Sequence, residues 1–122
     1  AEMTTALAIG YDWLYNDLSA ESRDKIRKAI VEKGIRPSLY ENKNGKPLWW
    51  INAHNNWNQV SNGSMACGAL AIMEDEPELA ATIIHRSVNK VQIAMNEYEP
   101  HGAYPEGPGY WFYGTTYNVI LI

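Results

Sequence analysis

Residues 54–65, HNNWNQVSNGSM, place four asparagines and one glutamine among small and apolar residues, and ACGALAIM then continues the run without a charge. Amides are poor helix formers and cost free energy to bury unless each finds a partner. A helix made of them therefore constrains its surroundings more than any other segment of the chain. With residues 55 to 72 helical, Asn55, Asn58 and Asn62 fall at i, i+3 and i+7 and share a face, and Asn52 extends the line from the preceding loop. Trp57, Val60, Ser64, Cys67 and Leu70 or Ala71 lie around the other side. Open solvent is met more cheaply by Lys and Glu, so an uncharged polar face predicts a partly enclosed polar cleft. The plainer reading is that the amides cap neighbouring helix ends and bridge loops, since buried polar groups ordinarily have backbone partners.

The remainder of the chain also reads as helices. Residues 2 to 17 carry Ala6, Leu7, Ile9, Trp13 and Leu14 near the 3.6 period. Ser19 then N-caps a second helix with Glu21 in its first turn, Ile26, Ile30 and Val31 inward and RDKIRK outward. It reaches about residue 34, where Gly34 and Pro37 break or kink it. Residues 41–47, ENKNGKP, are a turn-rich loop. The amide-rich helix starts near Asn55 or Asn56 and ends by Met73. Asp75 caps a fourth helix with Pro77 near its first position, running to about Glu97. Its inward stripe is Leu79, Ile83, Ile84, Val88, Val91 and Met95. The loop EPHGAYPEGPG has three prolines and three glycines in eleven residues, after which Pro108 opens a fifth helix. No alternating strand of useful length is present. The expected class is all-α: antiparallel helical hairpins in a single domain, residues 1–122. TTYNVILI ends the sequence without a C-cap, which reads as a helix cut within a longer protein.

Charge narrows the function. Eight of the ten Lys and Arg fall between Arg23 and Lys46, none between 47 and 85, and none after Lys90. That distribution offers no basic stripe for a phosphate backbone, so nucleic acid is not an expected partner. No apolar run is long enough to span a membrane, and AEMTTALAIGYDW lacks a signal peptide's basic start. The single Cys67 excludes an internal disulfide and is expected to be a small buried hydrophobe. Five Trp and eight Tyr lie mostly in or beside the cation-free segments. Aromatic, amide-rich and charge-poor surfaces suit sugars, whose C–H faces stack on rings; they also suit a large core.

HGAYPEGPGYWFYGTTYN, residues 101–118, forms a second constellation. Tyr110, Tyr113 and Tyr117 follow i, i+3 and i+7, a stripe of phenols that is either core or site, and each needs a hydrogen-bond partner if buried. Glu106, just before that helix, is either its N-terminal cap or a substrate contact. Among three histidines, His85 sits mid-helix beside Arg86 and His101 lies in the proline-rich loop. His54, next to the asparagines, is the acid/base candidate. No set of side chains has metal-ligand spacing, and neither a phosphate loop nor a nucleophile elbow occurs.

YDWLYNDLSAESRDKIRKAIVEKGIRP (11–37), WWINAHNNWNQVSNGSMACGALAI (49–72) and HGAYPEGPGYWFYG (101–114) together resemble the heparinase II/III-like polysaccharide lyases. These are bacterial enzymes allied to alginate and to hyaluronate or chondroitin lyases. The resemblance extends over nearly the whole chain. It implies part of an incomplete (α/α) toroid, which in the family a β-sandwich region usually follows. It also implies β-elimination of uronic-acid polysaccharide, without metal or cofactor, by a periplasmic or secreted protein. In that chemistry an amide neutralises the C5 carboxylate, a His or Tyr removes the C5 proton, and a Tyr protonates the departing 4-oxygen. Asn55 or Asn56 matches the amide. Relatives place a histidine after the asparagine pair, whereas here Trp57 follows it and His54 precedes it. Tyr113, Tyr117 and Tyr110 match the tyrosine in different related patterns, and His101 stands where the family has Asp. Trp49, Trp50, Trp57, Asn58, Asn62, Glu106 and Trp111 are the expected sugar-binding set. The expected partner is an acidic glycan, with self-association through helix faces left by truncation. The parent protein is expected to be the enzyme, and the isolated segment to be inactive.

Two other classes compete. An α/α-toroid glycoside hydrolase needs two facing carboxylic acids, and Glu106 is the only acid within either motif. A carbohydrate-binding or purely structural helical module needs none.

Overall fold

The computed structural model describes residues 1–40 and 44–122, so residues 41–43 of the expected 41–47 loop lie outside the described residues. Within them the fold is all-α. Its helices are α1 (Glu2–Trp13), α2 (Ala20–Ala29), α3 (Asn56–Ala71), α4 (Pro77–Met95) and α5 (Pro108–Leu121). The chain leaves α2 through a π-helical turn, Ile30–Ile35, and a 3-10 turn, Arg36–Leu39; other 3-10 turns cover Trp49–Asn52 and Asn96–Tyr98. Among the described residues, no helix is long and apolar enough to cross a membrane.

The hub is α3, which packs against α1, α4 and α5. Its register with each neighbour follows from single contacts. Thr5 Oγ1 donates to Ser64 Oγ at 2.9 Å, and Ala8 and Asp12 share a cleft with Cys67, Leu70 and Ala71, so α1 runs parallel to α3. Gln59 lies against Gly114, and Gly63 against the Tyr117 carbonyl, so α5 is parallel to α3 as well. Asn58 Nδ2 reaches the Lys90 carbonyl at 3.1 Å while a short turn joins the other ends, making α4 antiparallel. The apolar core lies toward the far end of α3. There Met65, Ala69 and Ile72 meet Ile30, Val31 and Ile35 of the π-helical turn, Ala80 and Ile83 of α4, and Tyr11. The first half of α3 is buried too, but its interior is polar: Asn58, Gln59, Asn62 and Ser64 are fully enclosed.

Small residues make this possible. A Cβ on Gly63 would sit 2.8 Å from the Tyr117 carbonyl oxygen, and one on Gly68 would meet Thr4 Cγ2 at 2.6 Å. Removing the side chain there lets the neighbouring backbones approach, and the gain in packing offsets glycine's poor helix propensity.

Local signals set several element ends as expected. Ser19 accepts from the Ser22 N–H at 3.2 Å, Asn55 N-caps α3, and Pro77 and Pro108 open α4 and α5. Other expectations need correction. The first helix stops at Trp13, and it buries Thr4, Thr5, Ala8 and Tyr11 while Trp13 is 79% exposed. Compact hydroxyl side chains fit against Ser64 and Gly68; an indole does not. The second helix is α-helical only to Ala29 and then departs from α geometry around Gly34 and Pro37, through a π-helical turn with Gly34 seated on Thr4 and a 3-10 turn with Pro37 near its start. Asp75 does not cap α4: it and Glu76 pair with Arg27 of α2. On α4, Val88 is exposed and Ser87 is buried in its place, because the seam of Ala80, Ile83, Ser87, Val91 and Ala94 faces the crowded α3. Cys67 is half-buried beside an open cleft, not enclosed, and burial pushes its thiol pKa up.

Candidate functional site

At the N-terminal end of α3, three parallel helices bring their first turns together. The side chains of Asn56, Trp57 and Val60 from α3, Tyr110 and Tyr113 from α5, and Glu2 from α1 line one cleft of about 310 Å³. Trp57 is 53% exposed within it and packs edge-on against Trp49, with ring centroids 5.6 Å apart.

The amide side of this cleft is built by capping. Asn55 is not among the residues lining the cleft; it caps the helix, its Oδ1 accepting from the Trp57 N–H at 3.2 Å, and among the described residues its NH2 group has no partner. The Asn56 N–H donates to Glu106 Oε2 at 2.7 Å, and Asn56 Nδ2 lies 2.9 Å from both Glu106 oxygens. Glu106 is thus a cap, but of α3 and not of the helix that follows it. A carboxylate at a helix N-terminus is favoured by the free N–H groups and by the macrodipole.

The phenol side is set by Glu2, which no motif in the sequence marked. Tyr113 Oη donates to Glu2 Oε1 at 2.6 Å. Burial first, and then this hydrogen bond, hold the Tyr113 pKa well above the usual tyrosine range. Burial and the Glu2 charge also raise that of Tyr117, whose ring meets Tyr113 edge-on at 5.6 Å. In this pair the phenol is the hydrogen-bond donor and the Glu2 carboxylate the acceptor. Tyr110 stands at the more exposed rim.

Behind the cleft, Gln59 joins the loop after α4 to α3 and α5. Its Oε1 accepts from Tyr104 Oη at 2.9 Å, and its Nε2 donates to Tyr98 Oη at 2.8 Å. Tyr98 Oη in turn lies 2.9 Å from Thr115 Oγ1 on α5. Gly114 leaves room for the Gln59 amide. This network fixes α5 against α3, and so fixes the tyrosines relative to Asn56. Gln59 sits inside the amide run, yet the helical spacing drew attention to the asparagines alone.

Other expected site residues lie elsewhere. Asn58 and Asn62 do not face a cleft: both are fully buried, Asn58 Nδ2 serving the Ile51 and Lys90 carbonyls and Asn62 Nδ2 the Asn58 carbonyl. The plainer reading of the amides, as bridges to backbone, describes these two. Asn52 accepts from Lys90 Nζ at the surface. His54 Nδ1 lies 2.8 Å from Glu97 Oε1 in an exposed pair that does not line the tyrosine cleft. Trp50 packs under the Arg86 guanidinium and lines a neighbouring cleft. Trp111 bonds the Gly102 carbonyl and faces away, with Phe112, Val119 and Ile120 on the outer side of α5. Set beside known proteins, the chain matches no family model and no curated protein sequence.

Proposed function

We propose that this chain belongs to the α-helical toroid of a polysaccharide lyase that cleaves uronic-acid-containing glycans by β-elimination. The observation that carries the reading is the meeting of Asn56, Trp57, Tyr110 and Tyr113 in one cleft. Sequence motifs some fifty residues apart supply its amide and phenol walls, and the text of those motifs resembles such lyases. Parallel α1, α3 and α5, with the antiparallel α4 between the last two in the chain, are also an arrangement that a toroid repeats.

The geometry suggests how the roles divide. Trp57 offers a ring on which a sugar face stacks. Asn56, the amide in the cleft wall, is committed to Glu106; the uncommitted amide donor is that of its neighbour Asn55, outside the lining, which we assign to the C5 carboxylate. Its neutralisation acidifies the C5 proton. Tyr113, a phenol lining the same cleft, donates to the departing 4-oxygen. Glu2, hydrogen-bonded to that phenol, accepts the C5 proton as the C4–C5 double bond forms and the C4–O bond breaks. The Glu2–Tyr113 hydrogen bond then returns the proton to the phenol. His54, paired with Glu97, takes no part.

The test is to incubate the full-length gene product with heparin, chondroitin, hyaluronate and alginate and follow the ultraviolet absorbance of unsaturated uronate. A rise on at least one polymer is expected. New reducing ends without that absorbance would replace the lyase by a glycoside hydrolase, and no cleavage of any kind would leave a binding module.

A further inference from the structure

Trp57 is a wall shared by two clefts. Beyond it from the tyrosines, a second depression of about 260 Å³ is lined by Lys33, Pro37, Leu48, Trp50, Ser61 and Met65. Two of its polar groups are uncommitted. Ser61 is only 4% exposed, yet among the described residues its hydroxyl has no hydrogen-bond partner, although the side chain borders this space. Lys33 likewise has no ion-pair partner among the described residues, while its neighbours Lys28 and Arg36 are held by Asp24 and Glu32. The π-helical turn contributes here, because its wider winding buries Ile30, Val31 and Ile35 and leaves Lys33 at the edge of the depression. Such turns are often found at functional positions.

We infer that this second cleft is a subsite for the adjacent anionic sugar residue of the glycan chain. Trp57 stands between the two sugars, Lys33 meets the carboxylate or sulfate of the neighbouring unit, and Ser61 meets a ring hydroxyl. The inference rests on the lyase reading for the direction of the chain, but it concerns binding and is tested by binding. The cation matters because the walls of the tyrosine cleft hold a carboxylate, Glu2, and no Lys or Arg. Among the described residues, the Lys or Arg side chain that an acidic polymer crossing both clefts meets is on the Lys33 side.

The experiment is a calorimetric titration of wild-type protein and Lys33→Met with a uronate oligosaccharide long enough to span both clefts, and with its carboxyl-reduced, uncharged counterpart. Lys33 is exposed, so Lys33→Met should melt with the wild type. The expected result is about fivefold to tenfold weaker binding of the acidic oligosaccharide by the variant at low salt. Affinity for the uncharged one should be unchanged, and Lys33→Arg should bind the acidic one as wild type does. Equal affinity of wild type and Lys33→Met for the acidic ligand overturns the subsite, as does an equal loss on both ligands. Lys33-dependent binding without elimination would sink the lyase reading and keep the subsite. Elimination with Lys33-independent binding would do the reverse.

Discussion

Glu106 clasps Asn56 across fifty residues of sequence, its two carboxylate oxygens taking the backbone N–H and the side-chain amide at the start of α3. One acidic residue from the proline-rich loop thereby caps the central helix and anchors the loop that leads into the aromatic helix. Glu106→Ala leaves these donors without their charged acceptor at a helix N-terminus. It should cost about 1–2 kcal/mol of unfolding free energy, measured by denaturant titration. A change near zero would show that the clasp adds no net stability.

Tyr113 and Tyr104 both have pKa values raised above the ordinary range, chiefly by burial. A phenol that ionises less readily when folded holds its proton while the unfolded chain gives it up, so the unfolded state binds fewer protons at alkaline pH. Stability should then be flat through neutrality and fall above about pH 10, where free tyrosine ionises. Melting temperatures recorded across alkaline pH should drop less steeply in Tyr113→Phe and Tyr104→Phe than in the wild type.

Two glycine substitutions separate helix propensity from packing. A Cβ on Gly10 of α1 meets nothing within 4 Å, and Gly10→Ala should stabilise by about 0.5–1 kcal/mol. On Gly63 the same methyl meets the Tyr117 carbonyl at 2.8 Å, and α5 must shift to admit it. Gly63→Ala should destabilise by about 1–3 kcal/mol despite alanine's better propensity. Thermal melts of the two variants should move in opposite directions.

The buried asparagines are likewise unequal. Asn58 serves two carbonyls outside its own helix, whereas Asn62 bonds only the carbonyl one turn back, within α3. Asn58→Leu should cost about 1–3 kcal/mol by leaving buried acceptors unmet, and Asn62→Leu should stay within about 1 kcal/mol of the wild type. Equal losses in the two variants would mean that volume, not hydrogen bonding, decides at these sites.

Much of the architecture was legible because it is local. Ser19, Asn55, Pro77 and Pro108 mark helix starts through hydrogen bonds or fixed φ angles within a turn of themselves. Asn56 and Tyr113 were likewise singled out from spacing and motif text, and they do share a cleft. What periodicity missed is set by partners distant in sequence. Thr4, Thr5 and Ser87 turn inward, and Trp13 and Val88 outward, because α3 presents glycines and hydroxyls to its neighbours. Asn58 and Asn62 looked like a cleft face because their spacing is helical, but α3 is covered on nearly all sides, so an uncharged face became an interior one. Glu2 carried no signal, since it is an ordinary acid in the first turn of a helix until α5 brings Tyr113 within 2.6 Å. His54 sits beside the asparagines in sequence, yet it lies just before the helix start, and Glu97 holds it in an exposed pair.

The most direct test compares the full-length wild type with Tyr113→Phe by the absorbance of unsaturated uronate, on whichever acidic glycan the wild type cleaves. Phenylalanine keeps the ring packed against Tyr117 and removes only the hydroxyl that is hydrogen-bonded to Glu2 and that gives its proton to the departing oxygen. Loss of a positioned proton donor should slow turnover by about a hundredfold to ten-thousandfold while the melting transition stays cooperative. Wild-type turnover in Tyr113→Phe would contradict the assignment of this cleft as the site of elimination.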